Sequence, residues 1–238
     1  MRVLVLGASG ATGKLVVKQF MQRNIHCRIL VRESAILEEE IKESPFVETM
    51  KGNISELTDL QMESLVSECN VIISCLGHNP SCKGMFGNPR YLVFHAVKRI
   101  TEIIENQPSH KVKLILMSTA GYTDEATETN TKSEKIILSL LKMLIPPHKD
   151  NVKAADFLVK EAGRRNENIE WVIVRPDTLV DHNEESLYEV YASPIRSPLF
   201  NAGKTSRINV SHFMKELATI DEVWEKWKFK SPVIYNKE

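Results

Sequence analysis

Short apolar runs rich in β-branched residues alternate along the chain with longer stretches in which apolar residues recur every three or four positions. The short runs predict strands and the longer stretches predict amphipathic helices. The predicted strands are Arg2–Leu6, His26–Val31, Val47–Lys51, Val71–Cys75, Val112–Ser118, Trp171–Arg175 and Pro232–Tyr235. The predicted helices are Thr12–Arg23, Ser34–Glu43, Thr58–Glu68, Tyr91–Glu105 and Asn151–Arg165, followed by two short ones at Ser211–Thr219 and Asp221–Lys228.

This alternation predicts an α/β fold, because right-handed βαβ units build a doubly wound parallel sheet with helices on both faces. The stretch from about Thr178 to Arg207 breaks the alternation and is rich in Ser, Pro and Asn. We therefore expect one domain over residues 1–238, in which residues 178–210 form a small C-terminal substrate lobe. Ser211 is the predicted N-cap of the helix that follows the lobe.

Composition narrows the class of partner. The 238 residues include 31 Lys and Arg and 31 Asp and Glu, so the formal net charge is zero. A general nucleic-acid binder needs a basic excess, and anionic membranes attract basic proteins, so neither partner is expected. The apolar run Val3–Leu6 is too short for a signal peptide, and the stretch from Ile136 to Pro147 is too short to cross a bilayer. These features predict a cytoplasmic protein that binds a small molecule or another protein.

The four cysteines show no C-x-x-C pair and no spacing typical of a metal site or a disulfide framework. Cys27 and Cys75 fall in apolar, strand-like runs, where a free thiol behaves as a small buried hydrophobe. We therefore expect reduced thiols and no bound metal. Cys82 lies in a polar loop and is the cysteine most open to reaction.

A glycine-rich loop follows the first predicted strand and opens the first predicted helix. Its first glycine permits the turn, its second lets the backbone approach a pyrophosphate, and its third allows close packing of helix on strand. Amide groups at the helix N-terminus then hold the anion. The loop predicts a dinucleotide-binding Rossmann fold. Its residues are Gly7, Ala8, Ser9, Gly10, Ala11, Thr12 and Gly13.

The end of the second predicted strand bears on the choice between NAD and NADP. Arg32 is followed by Glu33 at this position. An arginine suits the 2′-phosphate of NADP, whereas an acidic residue suits the free 2′-hydroxyl of NAD. Arg32 comes first, which favours NADP. The alternative makes Glu33 the ribose-binding acid and leaves NAD as the cofactor.

Four later segments agree with the loop in order and spacing. They are Gly52-Asn53-Ile54, Ser74-Cys75-Leu76-Gly77-His78, Leu116–Tyr122 and Arg175-Pro176-Asp177-Thr178-Leu179. With them the chain, from Arg2 to about Asn236, resembles the atypical short-chain dehydrogenase/reductases. The similar branch is the NAD(P)H-binding one, which includes NmrA-like regulators and enzymes similar to biliverdin reductase B and flavin reductases.

The resemblance implies further cofactor contacts beyond the loop and Arg32. Asn53 stands where the family has an Asp bordering the adenine, and the stretch ending at Gly77 lies on the ribose and nicotinamide side. The strand-five segment carries the active-site Ser or Thr. The residues implied as cofactor-binding are Gly52, Asn53, Ile54, Ser74, Cys75, Leu76, Gly77, Ser118, Lys153, Arg175 and Pro176.

The resemblance is weakest at the catalytic Tyr-x-x-x-Lys of the superfamily. Lys153 fits the lysine position, but Lys149 occupies the position of the tyrosine. The usual tyrosine acid is therefore missing, although hydride transfer in flavin-reductase-like relatives needs little help from a protein acid. The candidate catalytic residues are Thr119, Tyr122 and Lys153, and His78, His148 and Asp150 are further residues that could donate a proton.

The leading hypothesis is an NADP-dependent oxidoreductase acting on a small molecule such as a flavin, quinone or carbonyl compound. The alternative is an NmrA-like protein that senses NAD(P) without turnover, and epimerase or dehydratase chemistry ranks third. A homodimer or a protein partner stays open, and the apolar segment Ile136–Ile145 is a lid, a dimer face or core. An aromatic and apolar wall for a flat ligand is expected from Tyr188, Tyr191, Pro194, Ile195, Pro198 and Phe200.

Overall fold

The computed structural model describes residues 1–78, 87, 89–106, 111–125, 128–129, 131–162 and 167–237. Ten strands are found in this part of the chain. They are β1 (Arg2–Leu6), β2 (His26–Val31), β3 (Val47–Lys51), β4 (Val71–Ser74), β5 (Val112–Met117), β6 (Ile169–Pro176), β7 (Thr178–Val180), β8 (Tyr188–Tyr191), β9 (Lys204–Ser206) and β10 (Val233–Asn236).

Eight strands form one twisted sheet in the order β3-β2-β1-β4-β5-β6-β10-β8. Every neighbouring pair is parallel except β8, which runs antiparallel to β10 at one edge. The strand order reverses beside β1, because β2 and β3 extend to one side of it and β4 to the other. The predicted doubly wound, mostly parallel sheet is confirmed, and its ligand-binding crevice is expected at this reversal.

The helices lie between the strands and cover both faces of the sheet. Their bounds are α1 (Gly13–Met21), α2 (Glu39–Lys42), α3 (Asp59–Val66), α4 (Leu92–Asn106), α5 (Lys132–Leu144), α6 (Pro146–Phe157), α7 (Arg207–Thr219) and α8 (Asp221–Trp227), and a π-helical turn, Leu158–Ala162, extends α6. One hydrophobic core packs beneath α3, α4 and α6, and a second packs beneath α1, α7 and α8. The apolar residues of the central strands alternate between these two cores.

Three predicted helix bounds are wrong. The helix expected over Ser34–Glu43 shrinks to the four residues of α2, of which only Ile41 is buried, so little packing supports a longer helix. The helix α6 begins before Asn151, because Pro146 and Pro147 occupy first-turn positions where proline is tolerated. Ser211 lies inside α7, and the true N-cap is Ser206, whose hydroxyl accepts from the Asn209 amide.

The predicted lobe is only partly separate from the sheet. β7 and β9 pair in parallel as a small second sheet, as a lobe would. β8, however, joins β10 as the edge strand of the main sheet. The segment therefore contributes two strands, β7 and β9, to the small sheet and one, β8, to the main sheet.

The apolar segment Ile136–Ile145 forms most of α5, and it is not simply core. Ile136, Leu140 and Leu144 recur four residues apart and are 62%, 46% and 62% exposed. These three side chains form one stripe on the helix, since residues four apart share a face. The interpretation of this segment as core is therefore wrong for these three residues.

Three cysteines, Cys27, Cys69 and Cys75, are free and buried. Burial raises the pKa values of their thiols to about 12, 11 and 12. The remaining cysteine, Cys82, lies outside the described residues. Among the described residues, no group of His, Cys, Asp and Glu could hold a metal ion, and no helix is long and apolar enough to cross a membrane.

Burial predicts that these three thiols resist modification, because the thiolate is the reactive species. A Cys82→Ser variant should show no thiol titrating with an aromatic disulfide reagent at neutral pH while folded, and three after unfolding in guanidinium chloride. Native circular dichroism is the control for folding. Stoichiometric labelling of one thiol in the folded variant would contradict the burial.

Candidate functional site

The Gly7–Gly13 loop joins β1 to α1 through a turn that glycine makes possible. Gly7 has a left-handed φ of +75°, and a Cβ there would lie 2.5 Å from the carbonyl oxygen of Cys75. A Cβ on Gly13 would overlap the carbonyl group of Gly7. The Gly10 amide donates to the Gly7 carbonyl oxygen at 2.9 Å and closes the turn. The loop therefore brings the start of α1 directly against the strand end, as a phosphate cradle requires.

The first turn of α1 is open to an anion. Thr12 occupies the N-cap position, yet its side chain makes no capping hydrogen bond, and the first turn contains no acidic residue. Ser9, Gly10 and Ala11 are exposed before it. A helix N-terminus without a side-chain cap presents its amides and its positive dipole end to a ligand, and a phosphate is the ligand that these favour.

A groove of about 580 Å³ runs along the carboxyl ends of β1 to β4. The predicted cofactor residues that line it are Gly7, Ser9, Gly10, Ala11, Arg32, Gly52, Asn53, Ile54, Cys75, Leu76 and Gly77. Its other described lining residues, which sequence reasoning did not assign to the cofactor, are Leu6, Leu30, Val31, His78, Pro89 and Leu92. Ala8, Thr12, Gly13 and Ser74 are buried behind this lining. The predicted residues of the first four strand ends thus meet at one groove.

Arg32 and Glu33 diverge at the β2 end of the groove. The exposed Arg32 side chain lines the groove and makes no ion pair within the part of the chain that the structure describes. The Glu33 carboxylate lies 3.5 Å from the ammonium of Lys51 on β3. The guanidinium is therefore the charged group that this end of the groove offers to a ligand.

Asn53, after β3, is partly engaged in a local turn. Its Oδ1 accepts from the Ser55 amide at 3.2 Å, and its Nδ2 donates to Glu56 at 2.7 Å. An amide carries two donor hydrogens and two acceptor sites, so one of each is left for a ligand. These contacts make Asn53 part of a local turn, and they leave it able to make the adenine contact that the resemblance implies.

Two predicted serines sit at the neighbouring ends of β4 and β5 with hydroxyls that lack partners. Ser74 and Ser118 are buried, and neither Oγ has a hydrogen-bond partner among the described residues. Buried hydroxyls are normally paired, so an orphan hydroxyl calls for an explanation. Neither serine is among the described residues that line the groove.

His78 and Asp150 are in contact. The sequence indicates each of them as a possible proton donor but does not predict that they meet. The Nε2 atom of His78 lies 2.8 Å from Oδ2 of Asp150, and the His78 side chain is only 4% exposed. Asp150 is fully buried and also accepts from the amides of Val93 and Phe94 at the start of α4. Because β4 and α6 are far apart in the chain, only the fold reveals that these two residues meet beside the groove.

The side chain of Arg175 is buried and hydrogen-bonded to other protein groups. Its guanidinium is fully buried and donates to Glu128 at 2.5 and 3.0 Å, to the Tyr122 carbonyl oxygen at 2.7 Å and to the Ser231 carbonyl oxygen at 2.6 Å. Neither Arg175 nor Pro176 lines the groove, and the carbonyl oxygen of Pro176 accepts from the Ala120 amide. The family resemblance predicted cofactor contacts here, whereas the guanidinium tethers the segment after β5 to β6.

A family model for NAD(P)H-binding proteins matches residues 7–221, from the glycine loop to the start of α8. The chain belongs to this NAD(P)H-binding family. The match confirms the predicted resemblance to the atypical short-chain dehydrogenase/reductases. No curated protein matches the sequence.

Solved structures of similar fold include NAD(P)-binding enzymes. A short-chain dehydrogenase/reductase from Veillonella parvula in complex with NADP has a TM-score of 0.70 and 17% identity, covering 99% of this chain and 94% of that one. The anaerobillin reductase ChuY from Escherichia coli has a TM-score of 0.70 and 15% identity, covering 100% and 98%. The oxidoreductase ylbE from Lactococcus lactis has a TM-score of 0.69 and 16% identity, covering 100% and 92%. At these identities the similarity shows the fold.

The three predicted catalytic residues of this NAD(P)H-binding protein are not brought together in the groove. The Thr119 hydroxyl accepts from the Gly121 amide at 3.2 Å. Tyr122 is buried in the core, and burial raises the pKa of its phenol well above the usual value. Lys153 is exposed on α6, with its ammonium 4.6 Å from the Tyr91 ring centroid and 4.0 Å from that of Phe94. None of the three is among the residues that line the groove.

A second cavity of about 370 Å³ lies between the segment after β5, α5 and the lobe. Pro194, Ile195 and Pro198 of the predicted apolar wall line it. The other three members of that wall face elsewhere. The Tyr188 hydroxyl hydrogen-bonds to His212, the Tyr191 ring packs on Tyr235, and Phe200 is 64% exposed. The NAD(P)H-binding fold thus carries a separate pocket on its lobe side.

Proposed function

We propose that the chain is an NADP-preferring oxidoreductase that reduces a small-molecule acceptor in its groove. The observation that carries the proposal is the divergence of Arg32 and Glu33. A guanidinium in the lining can bind the 2′-phosphate through charge-assisted hydrogen bonds, while the neighbouring carboxylate is directed to Lys51. Bound NADPH would supply a hydride to the acceptor, which we expect to be a flavin, a quinone or a carbonyl compound.

The arrangement of the predicted residues around the groove supports this cofactor. The glycine loop and the open start of α1 would hold the pyrophosphate, and Arg32 and Asn53 would hold the adenosine half. Because β4 lies on the opposite side of β1 from β2, the stretch ending at Gly77 would border the nicotinamide half.

Titration of the purified protein with NADPH and NADH, followed by nucleotide fluorescence, tests the proposal. We expect NADPH to bind more tightly than NADH. If neither nucleotide binds below about 1 mM, which corresponds to only about 4 kcal/mol, the proposed function is wrong.

Arg32→Ala should weaken NADPH binding by about tenfold or more, since a hydrogen bond to a charged group contributes about 1.5–3 kcal/mol. NADH binding should change little, because NADH lacks the 2′-phosphate. Arg23→Ala is the matched control, since Arg23 is also exposed but does not line the groove. Equal losses for both nucleotides would contradict the assignment of Arg32 to the 2′-phosphate.

A sensor of NAD(P) without turnover is the second candidate function. Lys149 at the tyrosine position favours it, because an exposed lysine does not replace the missing acid. A panel of quinones, flavins and carbonyl compounds separates the two functions. Enzyme-dependent consumption of NADPH excludes the pure sensor, while tight binding with no consumption favours it.

A further inference from the structure

The described titratable side chains that line the groove are Arg32, Cys75 and His78. An arginine does not release its proton in proteins, and burial raises the pKa of the Cys75 thiol to about 12. An imidazole is the side chain that exchanges protons near neutral pH. His78 is therefore the described lining residue whose chemistry suits proton transfer.

His78 lies at the end of the groove remote from Arg32. Arg32 follows β2, whereas His78 follows β4, and β1 separates these two strands in the sheet. A dinucleotide whose 2′-phosphate meets Arg32 and whose pyrophosphate meets the glycine loop extends toward β4. The position of His78 thus corresponds to the reacting half of the proposed cofactor.

The carboxylate of Asp150 holds the imidazole in place. Asp150 is fully buried on α6, and its Oδ2 contacts His78 Nε2 at 2.8 Å and accepts from the Val93 amide at 2.9 Å. Its Oδ1 accepts from the Phe94 amide at 3.0 Å. A carboxylate fixed by two backbone amides cannot turn away, so it orients the ring that it contacts.

We propose that His78 donates the proton that completes reduction of the acceptor, and that Asp150 is the positioning residue that orients it. This inference rests on the proposed oxidoreductase function. The acceptor carries a polarised C=O or C=N bond. Its electrophilic atom gains a hydride, and the π electrons move to the oxygen or nitrogen, which takes one proton from the imidazolium. The imidazole is left neutral, NADPH is left as NADP⁺, and solvent restores the proton.

The primary test is His78→Gln, whose amide can still donate to Asp150 and so preserve the cap on α4. With an acceptor that the wild type reduces, we expect kcat to fall by about 100-fold, the lower end of what general acid catalysis contributes. The affinity for NADPH should stay within about twofold. His26→Gln is the matched control, on an exposed histidine of β2.

A readout independent of turnover is the ¹⁵N NMR spectrum of the histidine side chains, with the His78 signals assigned by their loss in His78→Gln. Saturating NADPH should shift these signals, and Asp150→Asn should change the protonation pattern of the ring in the protein without nucleotide. If NADPH binds tightly but leaves the His78 signals unmoved, the assignment of His78 as proton donor is wrong, whereas the proposed oxidoreductase function is not contradicted. Undiminished turnover in His78→Gln would lead to the same conclusion. Failure of the wild type to bind NADPH would overturn both.

Discussion

Glu128→Gln is expected to lower the free energy of unfolding by about 3–5 kcal/mol, because it leaves a fully buried guanidinium without its counter-charge. Arg175 lies on β6, between β5 and β10 in the sheet, with no exposed side-chain surface, and the Glu128 side chain is only 7% exposed. The glutamine keeps the shape of the glutamate, but only one of its two terminal atoms can accept from the guanidinium, whereas both carboxylate oxygens do. The loss therefore reports the missing charge together with one hydrogen bond. Equilibrium unfolding in urea, followed by tryptophan fluorescence, measures it.

The matched control is Asp181→Asn, which removes the partner of Arg207 in an ion pair where the Asp181 side chain is 83% exposed. Exposed pairs contribute about 0–1 kcal/mol, so the control should hardly change stability. The double variant Arg175→Met with Glu128→Leu should be more stable than Glu128→Gln alone, since removing both charges leaves no buried ion unpaired. Equal, small losses of unfolding free energy in Glu128→Gln and in the control would show that the Arg175–Glu128 pair stabilises the fold no more than an exposed ion pair does.

The ion pair marks the limit of what the sequence could predict about the site. The order of strands, the glycine loop and the groove residues of β1 to β3 follow from local patterns, because each lies within a few residues of a strand end. Arg175 also follows such a pattern, and the resemblance therefore placed it at the cofactor. Its partner Glu128 comes from a segment without a regular pattern, so only tertiary packing shows that the guanidinium is already occupied.

The same contrast between local pattern and tertiary packing explains which helices and strands could be predicted. α1, α3 and α4 have strong caps or a continuous apolar face, and their predicted positions agree with the structure to within a few residues. The edge strand β8 gave no signal, since it lies in a Ser- and Pro-rich stretch and acquires its pairing only from β10. The contact between His78 and Asp150 is likewise invisible in the sequence, because a buried acid and a distant histidine carry no shared pattern.

Gly77→Leu is expected to weaken NADPH binding by at least about 100-fold, a loss of about 2.7 kcal/mol, without destabilising the fold. Gly77 lines the groove, and a Cβ built there meets no atom of the described residues within 4 Å. Its φ lies outside the left-handed region, so a side chain adds no backbone strain. The leucine would therefore stand in the open space that the nicotinamide half of the cofactor is proposed to fill. Fluorescence titration and thermal unfolding, measured together, check the two halves of the prediction.

Gly13→Ala provides the contrast, because its Cβ would overlap the Gly7 carbonyl group and force α1 away from β1. This variant should lose both thermal stability and NADPH binding, whereas Gly77→Leu should lose binding alone. A stable Gly77→Leu protein that binds NADPH as the wild type does would mean that the cofactor does not pass Gly77. That outcome would move the nicotinamide half away from β4, and the proton donor would then have to be sought away from His78. NADPH binding by Gly77→Leu thus tests whether hydride transfer takes place at the β4 end of the groove.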